Sequence, residues 1–189
     1  MKVIQFYKNE KHLIKKALKQ HRDAQRLLYE KHAPKMLSVC RYYIKDVHFA
    51  EEVMLGGFLK VFMNLKKFNF QGSFEGWVRR IMVNESISFL RKEKQVFFTE
   101  DMLSSKEESW NNINTNFELA QIQEMIDSLP TGYRMVFVLY AIEGYKHCEI
   151  AKMLSISENT SKSQLFKARK MLQRKINEQN NICNGTVKI

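Results

Sequence analysis

The sequence predicts an all-α fold of two helical domains joined by a flexible linker, the second containing a helix-turn-helix. Three observations predict it. Gly and Pro are scarce, 7 and 2 in 189 residues, while Lys, Glu, Leu, Met and Gln recur in long unbroken stretches, which favours helix over strand. Apolar residues at three- and four-residue spacing fill two blocks, one reaching about Glu93 and one running from Phe117 to about Glu178. Between them FFTEDMLSSKEESWNNINTN is rich in Ser, Asn and Glu, lacks helical periodicity and reads as a linker. The expected division is an N-terminal arm over 1–21, a first domain over 22–94, a linker over 95–116, a second domain over 117–178 and a fraying tail over 179–189.

The first segment, MKVIQFYKNEKHLIKKALKQ, sets charges throughout its apolar residues and so lacks the continuous hydrophobic core of a signal peptide. Nothing later approaches the length of a membrane span, so no membrane insertion is expected. Cys40, Cys148 and Cys183 are odd in number and far apart, with no CxxC pair. Neither a disulfide framework nor a zinc ribbon is indicated, and a cytoplasmic location is expected.

A first helix carries Leu27, Leu28, Met36, Leu37, Tyr42 and Ile44, with Pro34 where a new helical segment can begin. Asp46 caps the next helix, AEEVMLGGFLKVFMNL, whose Val53, Phe58, Leu59, Phe62 and Leu65 are spaced to face that neighbour. The connector KKFNFQGSF follows, and Ser73 caps a helix through WVRRIMVNESISFLRKE. On that helix Trp77, Arg80, Asn84, Ser88 and Arg91 fall within one sector of roughly 80° at 100° per residue. Val78, Ile81, Met82 and Phe89 occupy an adjoining sector suited to a core. A cationic stripe with a Trp suits nucleic acid, since Arg pairs with phosphate and an aromatic plane stacks on a base. An amphipathic helix with its Trp packed at the boundary accounts for the same pattern. The connector interleaves Phe68, Phe70 and Phe74 with Lys66, Lys67, Asn69, Gln71 and Gly72, a composition that can hold unstacked bases. Phe74 or Phe68 is expected to anchor this loop to the core.

In the second block Leu119, Ile122, Ile126 and Leu129 form a helical stripe ended by Pro130. A helix from about Tyr133 carries Val136, Phe137, Tyr140 and Ala141 and closes at Gly144 in a left-handed cap. Then EIAKMLSISENTSKSQLFKARKMLQRKI has helix-turn-helix spacing: Ile150, Ala151 and Leu154, a turn at Ser155 to Ser157, then Leu165, Ala168 and Leu172. Ile156 plugs the turn and Ser157 caps the second helix. The solvent side presents Glu158, Thr160, Lys162, Ser163, Gln164, Lys167, Arg169 and Lys170, a face suited to a major groove. A helical hairpin for protein contact is the competing reading of this segment.

With 31 Lys and Arg against 20 Asp and Glu, the net charge of +11 attracts polyanions. Hydrophobic residues at 44% supply real cores and exclude a wholly disordered chain. His12, His21, His32, His48 and His147 are scattered without metal-ligand spacing, and no phosphate-binding loop occurs. No catalytic residue, metal or cofactor is therefore expected, and the chain reads as a binding protein rather than an enzyme.

In this order, FAEEVMLGGFLKVFMNL and FNFQGSFEGWVRRIMVNESISFLRK, then LPTGYRMVFVLYAIEGYKHCEIAKMLSISENTSKSQLFKARKML, resemble domains two and four of the extracytoplasmic-function sigma factors. These are small two-domain promoter-specificity subunits of bacterial RNA polymerase. The resemblance implies core RNA polymerase, promoter DNA and an anti-sigma factor as partners. It implies that Glu51, Glu52, Val53, Leu55 and Phe58 dock on the polymerase clamp, and that the helix from Tyr133 to Ile142 helps hold the flap. It implies that Phe68, Asn69, Phe70 and Gln71 of the connector, with Trp77, Arg80, Asn84, Ser88, Arg91 and Lys92, capture the melted non-template strand of the minus-ten element. It implies that the helix bearing Glu158, Asn159, Thr160, Lys162, Ser163, Gln164, Lys167, Arg169 and Lys170 reads the duplex minus-thirty-five element. The chain departs from the family pattern at Leu55 and Gly56, where Gln and an acidic residue are frequent. It departs again at Lys146, Ser155 and Asn159, where Ser, Gly and Gly are common. Two other readings remain open from sequence: an autonomous helix-turn-helix regulator that needs no polymerase, and a helical protein that uses its charge on a lipid surface.

Overall fold

The computed structural model describes residues 10–93 and 119–185, and the chain divides into two compact units, 1–93 and 94–189. The expected linker, residues 1–9 and residues 186–189 lie outside the described part. Every regular element described is helical.

In the first unit α1 (Glu10–Leu18), α2 (Arg22–Tyr43), α3 (Val47–Met63) and α4 (Phe74–Glu93) surround one core, with a single 3-10 turn at Leu65–Lys67 after α3. Helices α2, α3 and α4 pack against one another, and Met36, Val39, Tyr43, Val61, Leu65, Val78 and Met82 are almost wholly buried between them. Residues 10–18, expected as part of an arm, instead form α1 and bury Leu13, Ile14 and Ala17 against α2. Asp46 caps α3 by accepting from the backbone N–H groups of His48 at 2.8 Å and Phe49 at 3.1 Å. Ser73 caps α4, its Oγ accepting from the Gly76 N–H at 3.0 Å.

Pro34 does not begin a helix: α2 runs through it without interruption. A proline inside a helix removes one hydrogen bond, and here the deprived carbonyl belongs to Glu30, an exposed residue that water can serve. The inward side of α3 and of the turn after it matches expectation at Val53, Phe58 and Leu65 and differs at Leu59 and the half-buried Phe62. Val53, Met54, Gly57, Phe58 and Val61 face the core, whereas Leu59 is 63% exposed. Gly57 sets this rotation, because a methyl group there would overlap Sδ of Met82. Helices α3 and α4 thus meet glycine against thioether, and a larger residue there would have to displace the end of the Met82 side chain.

The second unit contains α5 (Leu119–Asp127), α6 (Thr131–Phe137), a π-helical segment Val138–Ile142, α7 (His147–Leu154) and α8 (Glu158–Gly185). Helix α8 is the spine, contacting α5, α6 and α7, and it continues beyond the expected end of the domain. Met125, Ile126, Leu129, Val136, Leu139, Ile150, Leu154, Leu165 and Ala168 form the core, while Ile122 is 41% exposed rather than part of the stripe. Gly144 reverses the chain with φ +77°, and Ser155 adopts φ 58°, ψ 44° between α7 and α8. Lys146 has no oxygen with which to cap α7. Instead the Glu149 carboxylate accepts from the Lys146 N–H at 2.8 Å, the return half of a capping box. No helix among the described residues is long and apolar enough to cross a membrane.

Candidate nucleic-acid interface

The connector of the first unit folds onto a cluster of rings. Phe68 lies 5.1 Å from Phe70, 5.3 Å from Phe74 and 5.5 Å from Trp77, measured between ring centroids, and Phe74 stacks on Trp77 at 5.8 Å. Such pairs add about 0.5–1.5 kcal/mol each beyond the area they bury. Phe68 and Phe74 are both core residues, 6% and 3% exposed. Phe68 is therefore an anchor beneath the loop and not one of its displayed rings, which corrects its expected place among strand-contacting residues. Trp77 is half-buried at the edge of the same cluster.

Phe70 is what the loop displays. It is 36% exposed and held at φ +62°, a left-handed conformation that bulky residues avoid. Asn69 fixes the turn, its Oδ1 accepting from the Gln71 N–H at 3.1 Å, and Gly72 follows at φ +87°. Along α4, Arg80, Asn84, Ser88, Arg91 and Lys92 are all exposed, while Val78, Met82, Val83, Ile87 and Leu90 are buried opposite. The stripe expected from the spacing exists as a continuous polar and cationic face leading away from the ring cluster. One neighbour was not legible in any periodicity: Lys11 of α1 places its Nζ over the Phe70 ring, 5.6 Å from the centroid.

On α3, Glu51, Glu52 and Leu55 are exposed. Val53 and Phe58 are not: at 8% and 3% exposure they belong to the core, where Phe58 meets Tyr29 edge-on at 4.9 Å. Leu55, Leu59 and Met63, 54%, 63% and 73% exposed at successive four-residue steps, form the outward apolar line instead.

In the second unit Ser157 caps α8, its Oγ accepting from the Thr160 N–H at 2.9 Å. Glu158, Asn159, Lys162 and Lys170 are exposed. Thr160, Ser163, Gln164, Lys167 and Arg169 are half-buried, and their neighbours explain why. The Thr160 hydroxyl pairs with that of Ser157 at 2.8 Å, and Ser163 Oγ donates to the Thr160 carbonyl at 3.0 Å. Gln164 lies against Gly132 of α6, so it faces inward and departs from the expected solvent face. Lys167 stands over Tyr133 and Arg169 over Tyr140, at 5.8 and 5.5 Å from the ring centroids, so both cations are steered by rings.

His147, an ordinary scattered histidine by sequence, is central here. Its ring stacks on Tyr140 at 4.7 Å, and its Nδ1 meets the hydroxyl of fully buried Ser161 at 2.9 Å, tying α7 to α8. Burial, then the charges of Lys162 and Arg169, lower its pKa below the usual histidine value against the opposing pull of Glu158. Of the described cysteines, Cys40 is buried, which pushes its thiol up to about 11, and Cys148 is an exposed thiol on α7.

Comparison with known proteins agrees with this geometry. Residues 28–96 match the family Sigma-70 region 2, and residues 119–172 match Sigma-70, region 4. The chain is 26% identical over 183 residues to the ECF RNA polymerase sigma factor SigW of Bacillus subtilis, covering 88% of this chain and 98% of that protein. It belongs to the extracytoplasmic-function (ECF) branch of the sigma-70 family. The ECF sigma factor SigM of Bacillus subtilis is also 26% identical, over 68% of this chain and 80% of its own. Among solved structures, the sigma factor RpoE of Bartonella quintana, crystallised with the anti-sigma factor NepR, shares the fold with a TM-score of 0.51 at 17% identity, covering 79% of this chain and 94% of that one. In this ECF sigma factor the ring cluster and the α4 stripe fall within region 2, and α7 with the start of α8 within region 4. Helix α1 precedes both matches.

Proposed function

We propose that this ECF sigma factor binds core RNA polymerase, recognises promoter DNA with both units and promotes initiation by capturing the melted non-template strand. The observation that carries the reading is the exposed line Arg80, Asn84, Ser88, Arg91 on α4, which starts at a ring cluster whose Phe70 is displayed to solvent. A single strand needs both parts: cations for its phosphates, and a plane on which an unpaired base can stack for about 1–3 kcal/mol. That gain offsets the few kcal/mol lost when a base leaves the duplex stack. Asn69 and Gln71, exposed on either side of Phe70, supply amides for the base edges.

Helix α8 reads the duplex minus-thirty-five element in the major groove. Lys162 and Lys170 reach phosphates, Asn159 is placed for a base edge, and Lys167 and Arg169 act from positions set by Tyr133 and Tyr140. The outward side of α3 docks on the polymerase clamp through Glu51, Glu52 and Leu55, extended by Leu59 and Met63. The residues from Tyr133 to Ile142 hold the flap. An anti-sigma factor is a further partner; RpoE of Bartonella quintana is crystallised in complex with one, NepR. The protein acts in the cytoplasm by differential binding, and makes or breaks no bond.

The test adds the purified protein to sigma-free bacterial core polymerase on a genomic DNA library and sequences the transcripts. Discrete start sites sharing upstream motifs are expected. Core binding without initiation, together with footprints made equally well by the isolated protein, would instead identify an autonomous regulator.

A further inference from the structure

The first turn of α1 reaches the ring cluster twice, directly through Lys11 and by way of His32 through Glu10. Glu10 Oε1 lies 2.9 Å from His32 Nε2 and accepts from Lys31 Nζ at 2.6 Å. His32 is 2% exposed, and its ring meets Phe74 edge-on at 5.5 Å. Phe74 touches Phe68, Phe68 touches Phe70, and over Phe70 stands Lys11, the residue next to Glu10 in the chain. Successive helical residues diverge by about 100°, so one turn of α1 reaches the seat of the cluster with one side chain and its displayed ring with the next. The contacts form a closed circuit from Glu10 through His32 and three phenylalanines back to Lys11.

We propose that α1 belongs to the single-strand site, with Lys11 positioning the Phe70 ring and Glu10 positioning His32 beneath Phe74. The inference rests on the reading of the connector as the strand-capturing loop. Phe70 needs such support, because its left-handed backbone is one that a phenylalanine leaves when nothing holds it. An ammonium group over one face and Phe68 packed at a 56° tilt restrict where the ring can go, while the residue as a whole stays 36% exposed. A ring fixed before the strand arrives loses less freedom on binding, so restraint in the free protein becomes affinity in the complex. The Glu10 contacts serve the same end from below. Burial pushes the Glu10 carboxyl up, but hydrogen bonds and charge from Lys31 and His32 outweigh it and hold the group ionised below its ordinary range.

The experiment measures binding of holoenzyme, assembled from core polymerase and the full chain, to a fluorescein-labelled single strand. That strand is taken from the non-template side of a promoter mapped by transcript sequencing. Lys11→Met should weaken binding roughly two- to fivefold, the range of an exposed cation–π contact, and Lys11→Arg should restore it. Lys11→Met should add nothing in a Phe70→Ala background, and the dependence of affinity on salt should not change. Glu10→Gln should also weaken strand binding while leaving duplex upstream binding as it was. Wild-type affinity in both Lys11→Met and Glu10→Gln would overturn the inference and leave the strand-capture reading standing. A Lys11→Met loss that persists without Phe70 and lowers the salt slope by about 0.7 would make Lys11 a phosphate contact, which also overturns it. Failure of the wild-type holoenzyme to bind the strand would remove strand capture itself, and the inference with it.

Discussion

His147 shows how one side chain can join two helices. Its Nδ1 meets Ser161, and its ring lies against Tyr140 within the field of Lys162 and Arg169. Protonation would place a third positive charge in that group, so burial and both cations hold the folded pKa below the ordinary histidine value. The unfolded chain therefore takes up the proton first as acid is added. The stability that neutral His147 contributes is complete above the unfolded value and is lost as pH falls through the folded one. Urea unfolding followed by NMR on α7 and α8 should show the second unit weakening as the pH drops below neutrality. His147→Gln should flatten that slope, and an identical slope in the variant would count against the role. This contact was not legible from spacing, whereas the exposed line of Arg80, Asn84, Ser88 and Arg91 was: the sequence presents five separated histidines, and only the fold brings this one to Tyr140 and Ser161.

Helix ends were readable because caps are local. Asp46, Ser73, Ser157 and Gly144 each act within three or four residues of their place in the chain, and each does what its neighbours in sequence imply. Helix faces were harder to read, since a long apolar run such as VMLGGFLKVFM offers several rotations about the axis, and only contact with another helix selects one. Gly57 makes that selection through Met82, which turns Val53 and Phe58 inward and Leu59 outward. The same helix supplies its own control, because Gly56 is exposed and a methyl group there meets nothing within 4 Å. Gly56→Ala should stabilise the protein by about 1 kcal/mol through helix propensity alone. Gly57→Val should destabilise it by about 1–3 kcal/mol, as overpacking does. Thermal melts of the two variants should move in opposite directions, and a shared direction would mean that the close approach of α3 and α4 does not matter. Helix α1 was hidden for a related reason: its charged residues resemble a solvated arm until Leu13, Ile14 and Ala17 find α2.

At the scale of the whole molecule, the proposed strand site and duplex site stand in units with separate cores. Substitutions in one should leave the other intact, and their effects on promoter binding should add in free energy. Arg80→Ala is expected to impair opening with little effect on duplex recruitment, and Lys162→Ala to do the reverse. Each lost phosphate contact to duplex should lower the salt slope by about 0.9. Measured together in holoenzyme, the double variant should show the sum of the two losses. A double variant no worse than the weaker single one would mean that the units do not act as separate readers. The net charge of +11 is consistent with both surfaces but distinguishes neither, which is why composition alone pointed to polyanions and no further.

Phe70 carries a lesson for anyone redesigning this chain. A sequence chosen only for ease of folding would place glycine or asparagine at a left-handed backbone position, and the chain itself does so at Gly72 and Gly144. A thermostability screen would therefore reward loss of this phenylalanine among its early gains. On the proposed strand-capture reading the survivors would melt later and open promoters less well, so a library built for robustness should hold this position constant.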